Sequence, residues 1–337
     1  MKEWFHGCLE VREVGGGMMP LRFTDAQIDF FKGRPHLFRC YNAAGIRLDV
    51  VTDSPFIRMR YRVTLKPGTT ERLHFDLFID DEPAGSPGET FTGEGAGEWT
   101  AELPIRAGSP RRVTVWLPYL ASVAVDELAF ADGAVCRPGE PHARNLLCFG
   151  DSITQGMNAA RSSETYAALI ARRLRMNLLN QAISGFVFHP DKIDPDLPYR
   201  PDLVTVAYGT NDWTVCKSHG QFERQADGFI GKLAGLYPDV PIAVLSPLWR
   251  SDMGGARPSG AFTDIHRTLE AICDSRRNVH YIDGLTLVPH RDEYFADGLH
   301  PNDRGFHHMA DRLAERLPAI LAPEPAPGDK SLAREVP

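Results

Sequence analysis

Hydrophobic and polar positions alternate along the first part of the chain. From Leu37 to Phe130, short segments of period two are rich in β-branched and aromatic residues: GIRLDVVT, FIRMRYRVTL, RLHFDLFID, RRVTVWLPY and VAVDELAFA. Turn-forming stretches separate them, among them KPG, AGSP and the glycine-rich EPAGSPGETFTGEGAGEW. Because no strong helical period interrupts this pattern, it predicts an antiparallel, jelly-roll-like β-sandwich over residues 1–137.

The pattern changes after CRPGEPHAR, a stretch that we interpret as a linker because it contains proline and glycine. Apolar runs (NLLCFG, NLLNQA, DLVTVAYG, PIAVLSP and NVHYID) then alternate with amphipathic segments of helical period. Such runs are typical of strands buried on both faces of a parallel sheet. Repeated strand-then-helix units predict a doubly wound α/β domain over residues 144–322. The low apolar content of residues 323–337 predicts a flexible tail.

Bulk composition narrows the set of expected partners. The 337 residues, 43% hydrophobic and 24% charged, are typical of a globular protein with two domains. A formal net charge of -7 without a basic run gives no electrostatic reason to expect nucleic acid or an anionic membrane as a partner. No apolar stretch suits a secretory signal or a membrane span. The six scattered cysteines predict free thiols in the cytoplasm and no zinc site, and the oligomeric state stays open.

Residues suited to acyl transfer follow the predicted strands of the second domain, where ligands of open α/β sheets bind. Ser152 follows the first strand within FGDSITQG, at a strand-to-helix turn that exposes both its hydroxyl and its backbone N–H. Gly185 follows the second strand in NQAISG, and Asn211 follows the third in YGTND. The two backbone N–H groups and the Asn211 side chain are donors that can converge on a developing oxyanion.

A base for the serine lies near the end of the domain, in FADGLHPNDRGF. A serine hydroxyl is weakly nucleophilic at neutral pH, and histidine is the side chain best suited to take and return its proton. Asp297 can hold the second ring nitrogen of His300, which completes a triad in the chain order Ser152, Asp297, His300. Each motif alone fits an ordinary turn or helix cap. Their joint occurrence at successive strand ends favours catalysis.

Together the motifs resemble the four blocks of the SGNH, or GDSL, hydrolase superfamily, over residues 144–320. The resemblance implies a flavodoxin-like domain, with helices on both faces of a five-stranded parallel sheet, and a cofactor-free ester hydrolase or acyltransferase. It also implies that Ser152 is the nucleophile, His300 the base and Asp297 its orienting acid, and that the oxyanion hole comprises Ser152 N–H, Gly185 N–H and the Asn211 side chain.

The first half carries a second resemblance. FRCYNAAGIRLDVVTDSPFIRMRYRV followed by FDLFID is similar to the β-sandwich that precedes the catalytic domain in some SGNH carbohydrate esterases and a few related acyltransferases. We expect a serine esterase that removes a small acyl group, acetyl in the first instance, because the segments that carry the catalytic blocks are short and contain no long apolar lid. The sandwich resemblance implies that the acyl group comes from a carbohydrate or similar hydroxyl. The substrate of such an esterase would be a small-molecule or oligosaccharide ester. The alternatives are an acyltransferase that uses the same triad and a non-catalytic glycan-binding protein.

Two further residues are candidates for substrate contacts. Trp213, directly after the Asn211 block, is a candidate wall of the acyl pocket, with packing as the equal alternative. Arg250, in LSPLWRSD after the fourth strand, is a candidate ligand for a substrate carboxylate or hydroxyl, with surface solvation as the simpler interpretation.

Overall fold

The computed structural model describes residues 1–321, so the predicted tail lies outside the described residues. Its first part is β-rich. The strands are β1 (Phe5–His6), β2 (Glu10–Val14), β3 (Gly17–Leu21), β4 (Arg47–Thr52), β5 (Phe56–Thr64), β6 (Thr70–His74), β7 (Asp76–Ile79), β8 (Glu82–Gly85), β9 (Gly88–Thr92), β10 (Glu94–Glu102), β11 (Arg111–Trp116), β12 (Ser122–Ala129) and β13 (Cys136–Pro138).

These strands form two main antiparallel sheets, which confirms the predicted β-rich domain. One has the order β1-β4-β11-β7-β8 with β13 beside β4, the other has the order β10-β5-β12-β3-β2, and β6 pairs with β9. Val50 and Val113 of the first sheet share one buried core with Tyr61 and Val123 of the second. Alternate residues therefore face a common interior, as the period of two requires.

The structure differs from the sequence pattern in two places. The glycine-rich stretch predicted as a turn contains β8, β9 and β10, because β10 pairs with β5 along its whole length. That ladder overrides the weak strand propensity of glycine. The predicted strand pattern beginning at Leu37 instead starts with helix α2 (Leu37–Cys40), after helix α1 (Asp25–Phe31). A capping box between Thr24 and Gln27 begins α1.

The second part alternates strands and helices. Its strands are β14 (Arg144–Gly150), β15 (Met176–Asn180), β16 (Leu203–Ala207), β17 (Ile242–Leu245) and β18 (Val279–Ile282). Its helices are α3 (Ser152–Gln155), α4 (Tyr166–Arg173), α5 (Thr210–Val215), α6 (His219–Leu236), α7 (Phe262–Asp274) and α8 (Asp303–Leu321). All strand pairs are parallel, in the order β15-β14-β16-β17-β18. The predicted flavodoxin-like sheet is confirmed.

Helices cover both faces of this sheet. Leu146 and Cys148 of β14 pack in one core with residues of α4 and α8. Leu147 and Phe149 of the same strand pack in another core with residues of α6 and α7. Consecutive residues of β14 are thus buried on opposite faces, which explains why the strand is apolar at each position from Leu146 to Phe149. The arrangement brings the carboxyl ends of the strands to one edge.

The β-rich part and the α/β part share apolar packing. Phe78, Trp116 and Tyr119 from the first part belong to the same buried cluster as residues of α4 and α8. All six cysteines are free, and the cytoplasmic location stays a prediction. Within residues 1–321, every helix is too short or too polar to span a lipid bilayer.

Candidate active site

Ser152 is the first residue of α3 and follows β14, the second strand in the sheet order, with only Asp151 between them. Gly150 is the last residue of β14. A side chain has no room at this position, because a Cβ would lie 2.1 Å from Thr154 Oγ1. Asp151 caps the helix, since its Oδ1 accepts a hydrogen bond from the Ile153 N–H at 3.0 Å. Ser152 itself is only 5% exposed. The Gly-Asp-Ser sequence thus holds the serine in a tight, capped turn.

His300 joins Ser152 to Asp297. Its Nε2 lies 2.8 Å from Ser152 Oγ, and its Nδ1 lies 2.8 Å from Asp297 Oδ2. Because Nδ1 faces a carboxylate, we assign the ring hydrogen to Nδ1, which leaves Nε2 to accept from the serine hydroxyl. The structure therefore brings together three side chains, two of them 148 positions apart, in the geometry of a nucleophile, a base and an orienting acid.

The Asp297 carboxylate is held by its own loop. Its Oδ1 accepts from the N–H groups of Leu299 at 3.0 Å and His300 at 2.8 Å, and Asn158 Nδ2 donates to Oδ2 at 3.3 Å. Burial alone would raise the pKa of Asp297, but the hydrogen bonds from the backbone and side chain of His300 outweigh it and lower that pKa. The group is therefore ionised at neutral pH and can stabilise an imidazolium.

Gly185 lies in a turn that Phe186 N–H closes by donating to the Ile183 carbonyl at 3.1 Å. Its φ of +76° is a left-handed conformation that costs other residues about 1 kcal/mol. The preceding N–H, of Ser184, donates to Gln155 Oε1 at 2.8 Å, which ties this turn to helix α3. Gly185 is exposed.

Asn211 is the second residue of α5 and is half-buried. Its Nδ2 donates to the Phe186 carbonyl at 3.1 Å, so one hydrogen of the amide orients the group and the second is available to another acceptor. Asp212 accepts hydrogen bonds from the N–H groups of Gly209 and Phe188, both at 3.0 Å. It thereby joins the loop before α5 to the loop that contains Gly185 and Phe188. Burial raises the pKa of Asp212 to about 7.

Trp213 and Arg250 do not lie where the sequence suggested. The Trp213 ring is fully buried, packs against Phe262 and donates from Nε1 to the Gly260 carbonyl at 3.0 Å. Arg250 is 8% exposed and donates to Asp252 and to the Thr210 carbonyl. The predicted substrate contacts are corrected accordingly, because core packing occupies the Trp213 ring and protein acceptors occupy the Arg250 guanidinium.

The site has two neighbours that the sequence pattern did not indicate. A Cβ placed on Gly185 would lie 3.4 Å from Arg39 Nη1 and 3.6 Å from His36 Nε2. Both residues belong to the segment around α2 in the β-rich part, and Arg39 Nη1 donates to the Ser184 carbonyl. No local motif marks them, because their place beside Gly185 depends on how the two parts of the chain pack.

Among residues 1–321, no three His, Cys, Asp or Glu side chains cluster as metal ligands would.

Comparisons with known proteins agree with this architecture. The family described as GDSL-like lipase/acylhydrolase matches residues 148–308. No curated protein sequence matches the chain significantly. Among solved structures, a salicylyl-acyltransferase from a tetracycline biosynthetic pathway is 22% identical, with a TM-score of 0.79 and 94% of each chain covered.

Two carbohydrate esterases of family two are also similar. The enzyme from Clostridium thermocellum, solved with cellohexaose, is 17% identical with a TM-score of 0.64, covering 83% of this chain and 94% of its own. The enzyme from Cellvibrio japonicus is 17% identical with a TM-score of 0.62, covering 95% and 96%. These similarities establish a shared two-part fold. Within this fold, residues 148–308 form a GDSL-like lipase/acylhydrolase domain, which follows the β-rich N-terminal part of the chain.

Proposed function

We propose that this protein is a serine ester hydrolase that removes a small acyl group, acetyl in the first instance, from a hydroxyl of a carbohydrate or similar polyol. The observation that carries the proposal is the hydrogen-bonded chain Asp297–His300–Ser152, with both contacts at 2.8 Å. His300 takes the proton of Ser152 as its oxygen attacks the ester carbonyl, and then returns that proton to the leaving alcohol. Water, activated by the same histidine, releases the acyl group as a carboxylic acid.

The oxyanion of each tetrahedral intermediate would be stabilised by Ser152 N–H, Gly185 N–H and the free amide hydrogen of Asn211. Ser152 N–H lies at the start of α3, and Gly185 is exposed in a turn bonded to the same helix through Gln155. Fixed donors of this kind need no reorganisation during the reaction. The Asn211–Phe186 contact keeps the third donor close to the Gly185 turn.

Transfer of the acyl group to an alcohol is the second candidate. The same residues would act, and the outcome would depend on whether an alcohol or water reaches the acyl-enzyme. One observation favours it: the TM-score of 0.79 with a salicylyl-acyltransferase exceeds the 0.64 and 0.62 found for the two esterases. A purely glycan-binding role is disfavoured, because binding alone does not require a serine, histidine and aspartate in hydrogen-bonded series.

The test is turnover of aryl esters from acetyl to octanoyl and of acetylated xylo-oligosaccharides, with and without an added alcohol. We expect the wild type to release acetate fastest and Ser152→Ala to lose at least about 10³-fold in kcat. The exposed Thr214, replaced by Ser, serves as the matched control. Product partitioning towards the alcohol would favour transfer. Full activity in Ser152→Ala would refute the mechanism, and the absence of turnover on every ester would refute both candidates.

A further inference from the structure

The segment that carries His36 and Arg39 is fastened to the Gly185 loop by a buried arginine. Arg22 is fully buried and donates to four carbonyl oxygens: Asn42 at 2.7 Å, Arg39 at 2.8 Å, Asn180 at 2.5 Å and Ala182 at 2.8 Å. Two of these carbonyls belong to the α2 segment, one to the last residue of β15 and one to the loop that follows β15. The β-rich part therefore supplies a fixed wall of the active site.

A second set of polar contacts fixes the same junction. The side-chain amides of Gln27 and Gln181 donate to each other at 2.8 and 2.9 Å, and both are buried. Thr24 Oγ1 donates to Asp194 at 2.5 Å. Buried, fully satisfied networks of this kind hold one arrangement because any shift leaves unpaired polar groups. We therefore treat the position of Arg39 as a property of the folded protein.

Arg39 carries a charge that the described residues do not neutralise. Its Nη1 donates to the Ser184 carbonyl, and no carboxylate among residues 1–321 lies within salt-bridge distance of it. Its neighbour His36 is uncharged at neutral pH because burial and Arg39 lower its pKa. A half-buried guanidinium without a counter-ion retains free N–H donors in the fork geometry that matches a carboxylate.

Aromatic side chains pack around His36, the other neighbour of Gly185, and the Arg39 guanidinium itself lies over the Phe38 ring at 5.0 Å. Phe186 packs edge-on against His36 with centroids 5.3 Å apart, and Phe30 packs against His189 at 4.9 Å. Phe30, His36 and His189 are all part-exposed. The wall beside Gly185 thus combines one unpaired positive charge with ring surfaces, which suits an anionic group mounted on a flat or cyclic body.

From these contacts we infer that Arg39 is a substrate-binding residue that selects esters carrying a carboxylate. The inference rests on the proposed function and names the substrate class for the same site. A carboxylate held by the guanidinium would place the ester carbonyl next to the Gly185 N–H, since Gly185 and Arg39 are neighbours. The carboxylate can belong to the alcohol part, as in an acylated hydroxy acid or sugar acid, or to the acyl part.

The experiment compares esters that differ only in charge. On the alcohol side the probes are 3-acetoxybenzoate and 3-acetoxybenzamide, and on the acyl side they are the p-nitrophenyl esters of succinic acid and succinamic acid. For wild type we expect kcat/KM to favour the carboxylate in one pair by about 10- to 100-fold, the range of a charge-assisted hydrogen bond. Arg39→Gln should abolish this preference through KM, and Arg39→Lys should retain part of it.

Arg34→Gln is the matched control. Arg34 is an exposed arginine on the same segment whose guanidinium lies over the Phe30 ring at 4.3 Å, so its removal changes the net charge equally. We expect the charge preference to persist in this variant. Equal kcat/KM for both members of both pairs in wild type would overturn the inference, as would an unchanged preference in Arg39→Gln.

Binding separates failure of this inference from failure of the proposed function. Calorimetric titration of benzoate and benzamide into wild type and Arg39→Gln requires no turnover. Tighter binding of benzoate to wild type alone supports the carboxylate site even where no ester is hydrolysed. Conversely, Ser152-dependent hydrolysis without any preference for benzoate would leave the esterase intact and reject the role of Arg39.

Discussion

Asp297 illustrates how a single side chain can control the reaction without touching the substrate. The ring of His300 can point its Nε2 at Ser152 only while Nδ1–H is held by the carboxylate, 2.8 Å away. Three further donors fix that carboxylate: two backbone N–H groups and Asn158. The chemistry at the serine is therefore set by the residue farthest from it in the triad.

We predict that Asp297→Asn lowers kcat by about 10²- to 10⁴-fold with little change in KM, because an amide can favour the wrong imidazole tautomer. Steady-state kinetics on an acetyl ester would measure both constants. Asp311→Asn, an exposed aspartate on α8, is the control. A kcat within threefold of wild type would mean that Asp297 does not orient His300.

Asn211 is predicted to act only when charge develops on the ester oxygen. Asn211→Ala should lower kcat by about 10²- to 10³-fold, because one donor of the oxyanion hole is lost. Lys217→Ala, an exposed position just after α5, should behave as wild type. A rise in KM at constant kcat would instead indicate a role in ground-state binding.

At the scale of elements, the start of α5 holds a buried carboxyl group, that of Asp212, which also caps the helix. Asp212 is fully buried and accepts two backbone hydrogen bonds, while burial raises its pKa to about 7. The folded protein thus keeps a proton that the unfolded chain releases above its ordinary value of 3.8. The contribution of Asp212 to stability should therefore fall as the pH rises from about 4 to about 7.

Replacing Asp212 by Asn removes this titration. We predict that the stability of wild type relative to Asp212→Asn is greater at pH 5 than at pH 8, as measured by urea unfolding at both values. Asp311→Asn, which makes the same substitution at an exposed position of α8, is the control variant. A relative stability that does not depend on pH would show that Asp212 titrates normally.

Arg22 connects elements from both parts of the chain. Arg22→Met should destabilise the protein by about 3–5 kcal/mol, because buried carbonyl oxygens lose their donors at about 1–3 kcal/mol each and relax only partly. Arg12→Met removes a part-exposed arginine paired with Glu10 and Asp25 and should cost about 1 kcal/mol or less. Urea unfolding of both variants would test this, and equal losses would contradict it.

At the scale of the whole molecule, the β-rich and α/β parts are joined by apolar and polar contacts alike. Phe78, Trp116 and Tyr119 share a core with α4 and α8, and Arg22 links the same two parts. We predict one calorimetric unfolding transition for the full chain, with a van't Hoff enthalpy close to the calorimetric enthalpy. Two resolved transitions would show that the parts unfold independently.

Prediction from sequence succeeded where the signal was local. Apolar runs after Arg144 identified every strand of the parallel sheet, because residues buried on both faces must be apolar at each position. The same topology brings Ser152 into contact with His300, and Asn211 into contact with the turn that contains Gly185. The glycine-rich strand β10 was missed because its pairing with β5, not its own residues, makes it a strand.

The sequence by itself determined the order of strands and helices in the α/β part and the identity of the groups that can react. Only the tertiary structure decided that the side chains of Trp213 and Arg250 are buried and that Arg39 lies beside Gly185. The physical reason is the range of the interactions. Periodicity and turn chemistry act between near neighbours in the chain. The position of Arg39 beside Gly185, in contrast, depends on the buried Arg22, which donates to carbonyls of segments far apart in sequence.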